Sequence, residues 1–165
     1  MSNPYYTPLD LLRTTVAASA AFQTWVGATG EDAAALVASA LERIYLIAIG
    51  SADWARPYAI VGVGSWAAEL AFGGSRHFFS HPSDLELCFE ADLAGVDDET
   101  AWETFLDTVG DILLDIEELA GTPGYLAITA IRQEEPPQRC RDDAREGADA
   151  AAVFAQVKFK VAWND

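Results

Sequence analysis

ETAWETFLDTVGDILLDIEELAG, residues 99–121, decides the fold class. Trp102, Phe105, Leu106, Val109, Ile112, Leu113, Ile116 and Leu119 fall on one stripe with the 3.6-residue period of an amphipathic helix, and Gly121 ends it. A helix with one apolar stripe has to lie on something, and the flanking segments name it. Asp84 to Glu90 alternates, with Leu85, Leu87 and Phe89 on one side and Glu86, Cys88 and Glu90 on the other. Val153 to Trp163 does the same, setting Val153, Ala155, Val157, Phe159, Val161 and Trp163 against Gln156, Lys158 and Lys160. Strict alternation describes antiparallel strands with one covered face, so residues 99–120 form a helix lying across a mostly antiparallel sheet.

Working outward, Tyr125 to Arg132 reads as another strand, and Tyr58 to Val63 and Trp66 to Phe72 as two more. Arg43 to Ile49 is β-branched, aromatic and apolar on both faces, which predicts a central strand covered on both sides. Thr7-Pro8-Leu9-Asp10 reads as a helix start with Thr7 as N-cap, and the helix fades near Gly27 and Gly30. Glu31 to Leu41 is a second, Ala-rich helix with an acidic start. Glu134 to Asp149 carries no apolar periodicity and reads as a long, mobile polar loop. The sum is an α+β fold: a mostly antiparallel sheet of about five to six strands, with the long helix and the N-terminal helix packed on one face. The whole chain, 1–165, forms one domain, in keeping with its 165 residues, 51% apolar and 22% charged.

The charge balance is the outlier. Ten Lys and Arg stand against 26 Asp and Glu, a net charge of −16. A surface that negative repels phosphates, which argues against grip on DNA or on an anionic membrane. Two cysteines, Cys88 and Cys140, are too few for a disulfide framework or a Cys-based zinc site, and a reducing, cytoplasmic setting is expected. No secretory n-region opens the chain, and no uncharged stretch has the apolar content of a membrane span.

Four constellations could carry chemistry. Gly62-Val63-Gly64 follows a strand, but without a third glycine, a P-loop lysine or a following helix it describes a bend in a strand. His77 and His81, spaced i and i+4, could share a metal on a helix, yet Ser80, Pro82 and the nearby glycines make the segment a loop. Phe78 and Phe79 between them then cover a core edge or enter a subunit contact. Glu103, Asp107, Asp111 and Asp115 recur every four residues opposite the apolar stripe. They form either a solvated face or an electrostatic surface that meets a partner's arginines or holds nucleic acid off. A convex helix face gives no cleft to push two carboxyl pKa values apart. Arg139, Arg141 and Arg145 interleave with Asp142, Asp143 and Glu146, as a self-compensating solvated loop or as a docking arm that orders on assembly. With no nucleophile elbow, Ser/His/Asp set or Cys/His pair, the residues point to a non-enzyme with no catalytic residues, cofactor or metal.

The ordered landmarks resemble a known family, the tail terminator proteins of long-tailed, siphovirus-like phages, of the lambda U type. The resemblance rests on Leu11-Leu12-Arg13 running to Phe22-Gln23-Thr24-Trp25, on Arg43-Ile44-Tyr45, and on Arg56-Pro57-Tyr58-Ala59-Ile60-Val61. It continues through Phe105-Leu106 with Val109-Gly110-Asp111-Ile112 and Glu117-Glu118-Leu119-Ala120, then Tyr125-Leu126-Ala127-Ile128-Thr129. The closing Val157-Lys158-Phe159-Lys160-Val161-Ala162-Trp163 also fits, while Glu31 to Leu41 is longer than the family pattern. The resemblance implies a virion protein at the head-proximal end of the tail, assembled in the host cytoplasm. Such a protein forms a homo-oligomeric ring, six-fold by family pattern, that caps the tail tube and stops its polymerisation. It then presents a surface for head–tail joining to connector or neck proteins. DNA would pass through without specific binding, past an acidic lumen to which Glu103, Asp107, Asp111 and Asp115 could contribute. Subunit contacts are then expected from Arg139, Arg141, Arg145, His77, Phe78, Phe79 and His81. Three other readings stand beside it: a neck or tail-completion protein, a small cytosolic ligand-binding or regulatory domain, and a metal-dependent hydrolase. The second needs a concave apolar pocket and the third needs carboxylates converging from different elements.

Overall fold

The computed structural model describes residues 6–46, 54–65, 84–93, 98–141 and 153–164. Helices α1 (Tyr6–Ala18), α2 (Ala20–Trp25) and α3 (Ala33–Leu41) lead into strands β1 (Ile44–Leu46), β2 (Tyr58–Ser65) and β3 (Asp84–Leu93). Helix α4 (Glu99–Leu119) follows, and then β4 (Ile128–Gln133), β5 (Gln138–Arg141) and β6 (Val153–Trp163). The six strands form one sheet in the order β1-β2-β3-β6-β4, with β5 also on β6. Only β1 and β2 run parallel, so the fold is α+β with a mostly antiparallel sheet.

Strand β6 is the spine. Along one side it pairs with β3 over the whole length of that strand, from Asp84↔Ala162 to Leu93↔Val153. Along the other it pairs first with β4, Ile128↔Trp163 to Gln133↔Phe159, and then with β5, Gln138↔Gln156 to Arg141↔Val153. The alternation read from β3 and β6 is the alternation observed: Leu85, Leu87, Phe89, Val153, Ala155, Val157, Phe159 and Val161 are all buried. They share one hydrophobic cluster with Leu12 and Val16 of α1, Phe22 of α2, and Phe105, Val109, Ile112 and Ile116 of α4. Phe89 is central to it, with ring centroids 6.4 Å from Phe22, 6.0 Å from Trp25 and 6.2 Å from Phe159.

Several elements differ from the sequence reading. The N-terminal helix is two helices, because Ser19 leaves the helical conformation and its Oγ caps α2 by accepting from the Phe22 N–H at 3.0 Å. It begins at Tyr6, so Thr7 and Pro8 sit inside its first turn, where a missing proline N–H removes no bond. Helix α3 begins at Ala33 rather than Glu31, with Asp32 as its N-cap, and Asp98 caps α4. Strand β1 is at the end of the strand order and not central. Its two-faced apolar character has another cause: Ile44 enters the core, and Tyr45 on the opposite face stacks on Trp54 at 3.9 Å between centroids. The expected strand at Trp66–Phe72 lies outside the described residues, as do Ile47–Ile49. Gly62 sits within β2, whose register with β3 shifts between Val63 and Ser65, the bend that the glycines suggested.

The polar segment after β4 is not a loop throughout. Gln138–Arg141 is strand β5, while residues 142–149 lie outside the described ones. Its side chains show no apolar alternation because the strand is held by backbone pairing to β6, not by burial. Between β4 and β5, Glu134 to Pro137 bulge away from β6, four residues standing opposite Val157 and Lys158. The bulge is tied back by the Glu134 N–H on the Lys158 carbonyl at 3.4 Å and by an ion pair between Lys160 and Glu134.

Candidate assembly surface and the carboxylate cluster behind it

Two regions of the sheet hold polar side chains in defined geometry. The first is the face of the sheet away from the helices. There the sequence reads Glu86, Cys88 and Glu90 as solvent-facing, yet Cys88 and Glu90 are buried. The Glu90 carboxylate is enclosed by donors from three directions. Oε2 accepts from the Tyr58 hydroxyl at 2.5 Å and from Arg56 Nε at 3.2 Å, and Oε1 accepts from Gln156 Nε2 at 2.6 Å. Arg56 also reaches Asp92 Oδ1 at 3.3 Å, and its guanidinium lies 3.8 Å above the Phe154 ring. Trp54 and Tyr45 complete the cover, edge-on to Tyr58 at 5.7 and 5.4 Å.

This cluster satisfies its own charges. The carboxylate accepts three hydrogen bonds and has its counter-ion in place, which is how a buried ion pair becomes tolerable. The surrounding groups are held in their neutral forms. Burial, reinforced by the Glu90 hydrogen bond, pushes the Tyr58 phenol well above its ordinary value. Burial and then the Glu90 charge push the Cys88 thiol up to about 12. Cys140 is raised as well, mainly by burial. Protonated thiols and a fully bonded carboxylate make a locked structural network rather than a source of nucleophile or base. Among the described residues, no group of three or more His, Cys, Asp and Glu side chains is arranged to hold a metal ion.

The second region is the sheet edge formed by β4 and β5. Helix α4 runs beside it. At one end the Arg139 guanidinium lies 4.8 Å above the Trp102 ring, and at the other Leu113, Leu114 and Ala120 face Ile128 to Ile131. Between helix and strand lies a groove of about 640 Å3, open to solvent, whose walls include Gly110, Leu113, Leu114, Ile128, Ile131 and Phe159. The recess arises where the helix overhangs the last strand. Among the described residues Leu114 is the only exposed large hydrophobic side chain, at 61%. It falls one position off the buried stripe, so the adjacent Leu113-Leu114 pair was its only signal in sequence.

The candidate residues divide accordingly. Arg139 and Arg141 are exposed on β5, on the same face of that strand. Arg145, His77, Phe78, Phe79 and His81 lie outside the described residues. Glu103, Asp107 and Asp111 are exposed on α4, as a solvated or partner-facing stripe requires. Asp115 departs from that stripe, because its Oδ2 accepts from Ser19 Oγ at 2.8 Å and from the Ala21 N–H at 2.9 Å. It pins the start of α2 to α4, a structural duty that spacing alone could not reveal. The Glu90 cluster was missed because strand register, which brings Tyr58, Glu90 and Gln156 into one row, is invisible before the strands are paired.

No known protein-family model matches the chain, and no curated protein does. No helix among the described residues is long and apolar enough to cross a membrane.

Proposed function

We propose that this protein is a phage tail terminator: a structural virion subunit, without catalysis, that closes as a six-fold ring on the head-proximal end of the tail tube. The ring stops tube polymerisation and offers the surface on which connector or neck proteins join head to tail. The observation that carries this reading over an enzyme or a small-ligand binder is the construction of the β4–β5 edge. Among the described residues, a strand edge with no further strand paired to it, an apolar groove with a solvent-facing leucine, and two exposed arginines lie side by side, in a chain of net charge −16. Such a combination suits docking to acidic protein surfaces. The residue pattern from Leu11 to Trp163 supplies the resemblance that makes the assembly a phage tail. The exposed carboxylates Glu103, Asp107 and Asp111 suit either a neighbour's arginines or a lumen through which DNA slides without adhering.

The test is electron microscopy of a lysate from the phage whose copy of this gene carries a stop codon. Over-long tail tubes without heads are expected. Tails of normal length that fail to join filled heads would place the protein at the neck or tail-completion step instead. Wild-type particles would return it to the class of small cytosolic binding or regulatory domains.

A further inference from the structure

The groove between α4 and β4 contains a feature that the isolated subunit does not explain. Gly110 lies in the middle of α4, exposed, on the groove wall one turn before Leu114. Glycine inside a helix costs about 0.5–1 kcal/mol relative to alanine. That cost is ordinarily offset by a tight neighbour or a left-handed backbone, and neither applies here. A Cβ at position 110 would meet nothing within 4 Å, and the only positive φ values among the described glycines are at Gly27, Gly121 and Gly124. A side-chain-free patch on a helix beside an exposed leucine is the surface against which another backbone can come close.

The distribution of charge says what approaches. Residues 77–131 contain thirteen carboxylates and no lysine or arginine, whereas residues 132–160 contain six of the ten cations. Arg132, Arg139 and Arg141 are exposed on the β4–β5 edge. The same chain thus carries an arginine-bearing edge on the strand side of the groove and, on the helix side, the exposed carboxylates Glu103, Asp107 and Asp111 of α4. A closed ring of more than two copies requires a heterologous contact, in which unlike complementary patches of neighbouring copies meet head to tail.

We infer that the α4–β4 groove is the socket for a second copy of this chain. The Gly110 wall admits the neighbour's backbone, Leu114 is the apolar anchor, and Arg139 and Arg141 engage the carboxylates of the neighbour's acidic surface. The choice of a second copy as occupant rests on the ring-forming reading above, while the location rests on the groove itself.

The purified full-length chain tests this. A photo-crosslinking residue replaces Leu114, and the protein is irradiated over a concentration series beside size-exclusion light scattering of the wild type. Wild-type oligomers are expected, with covalent products joining position 114 to a different surface of a second copy. Gly110→Trp fills the groove and is expected to weaken self-association by about tenfold or more. Gly110→Ala, which adds only a methyl group into open space and removes the cost of a helical glycine, retains it and melts about 2–4 °C higher, and both variants keep the wild-type circular dichroism and a cooperative melt. Oligomers that form without a crosslink at 114 and are indifferent to Gly110→Trp overturn the socket and leave the ring reading standing. Crosslinks joining position 114 to position 114 overturn head-to-tail contact. A wild type that stays monomeric and uncrosslinked at every concentration removes the ring-forming reading, and the inference with it.

Discussion

Tyr58 and Glu90 are direct cross-strand neighbours on β2 and β3, and the phenol hydroxyl donates to the carboxylate at 2.5 Å. This pair fixes the register of two strands on the face of the sheet that the helices do not cover. It also anchors Arg56, whose side chain is only 9% exposed.

Removing one partner of such a cluster should cost more than the contact itself is worth. Glu90→Ala leaves a nearly buried guanidinium without its main counter-ion, and a loss of about 3–5 kcal/mol is expected in urea denaturation. Tyr58→Phe removes one donor and keeps the ring, for an expected loss of about 1.5–3 kcal/mol. In the double variant the two losses should fall short of additive, because both report on the same carboxylate.

Alkaline pH probes the same region. The Cys88 thiol ordinarily titrates near 9 and is held up to about 12 in the fold. The unfolded chain therefore loses this proton first, and stability declines as pH rises from 9 toward 12, by about 1.4 kcal/mol per pH unit from this group. The raised Tyr58 phenol adds a second decline starting near 10. Denaturation midpoints across this range should fall less steeply for Cys88→Ala and for Tyr58→Phe than for the wild type.

Within the acidic series of α4, two neighbours should behave oppositely. Asp115→Ala removes the acceptor for Ser19 Oγ and the Ala21 N–H, with an expected loss of about 1–2 kcal/mol. Asp111→Asn relieves like-charge repulsion along the helix and should gain a few tenths of a kcal/mol, about 0.2–0.5. Thermal melts of the two single variants read the contrast directly.

Arg139→Glu with Arg141→Glu should separate folding from assembly. The Arg139–Trp102 contact is worth about 0.5–1 kcal/mol at an exposed position, so the monomer stays folded. On the proposed ring-forming role, oligomers followed by native mass spectrometry should weaken, because the reversal puts carboxylates on the edge proposed to meet an acidic neighbour.

The elements legible in sequence were those stabilised by burial. Leu85-Leu87-Phe89, the β6 alternation and the α4 stripe all announce a covered face, and the structure covers each of them. What escaped was decided by pairing or by distant contacts. Ser19 breaks the first helix because it caps the next and meets Asp115 across 96 residues. Strand β5 has polar side chains and exists through its backbone bonds to β6. Thr15 reads as an ordinary helix residue, yet it is fully buried and accepts the Leu126 N–H at 3.0 Å, bridging 111 positions. Asp115 was legible as a charge and illegible as a cap, since no helical spacing encodes which neighbouring helix lies above it.

The four-residue interruption between β4 and β5 bears on a hazard that every open-edged sheet carries. An unbroken edge is a template on which strands add without limit, the route to fibrils. Here Pro136 and Pro137 bring no amide hydrogens, and the bulge carries the chain off the line of β6 just beyond Gln133. An incoming strand can follow β4 for its six residues and then loses the ladder. The interruption confines any added ladder to β4 and keeps it from running on along β5.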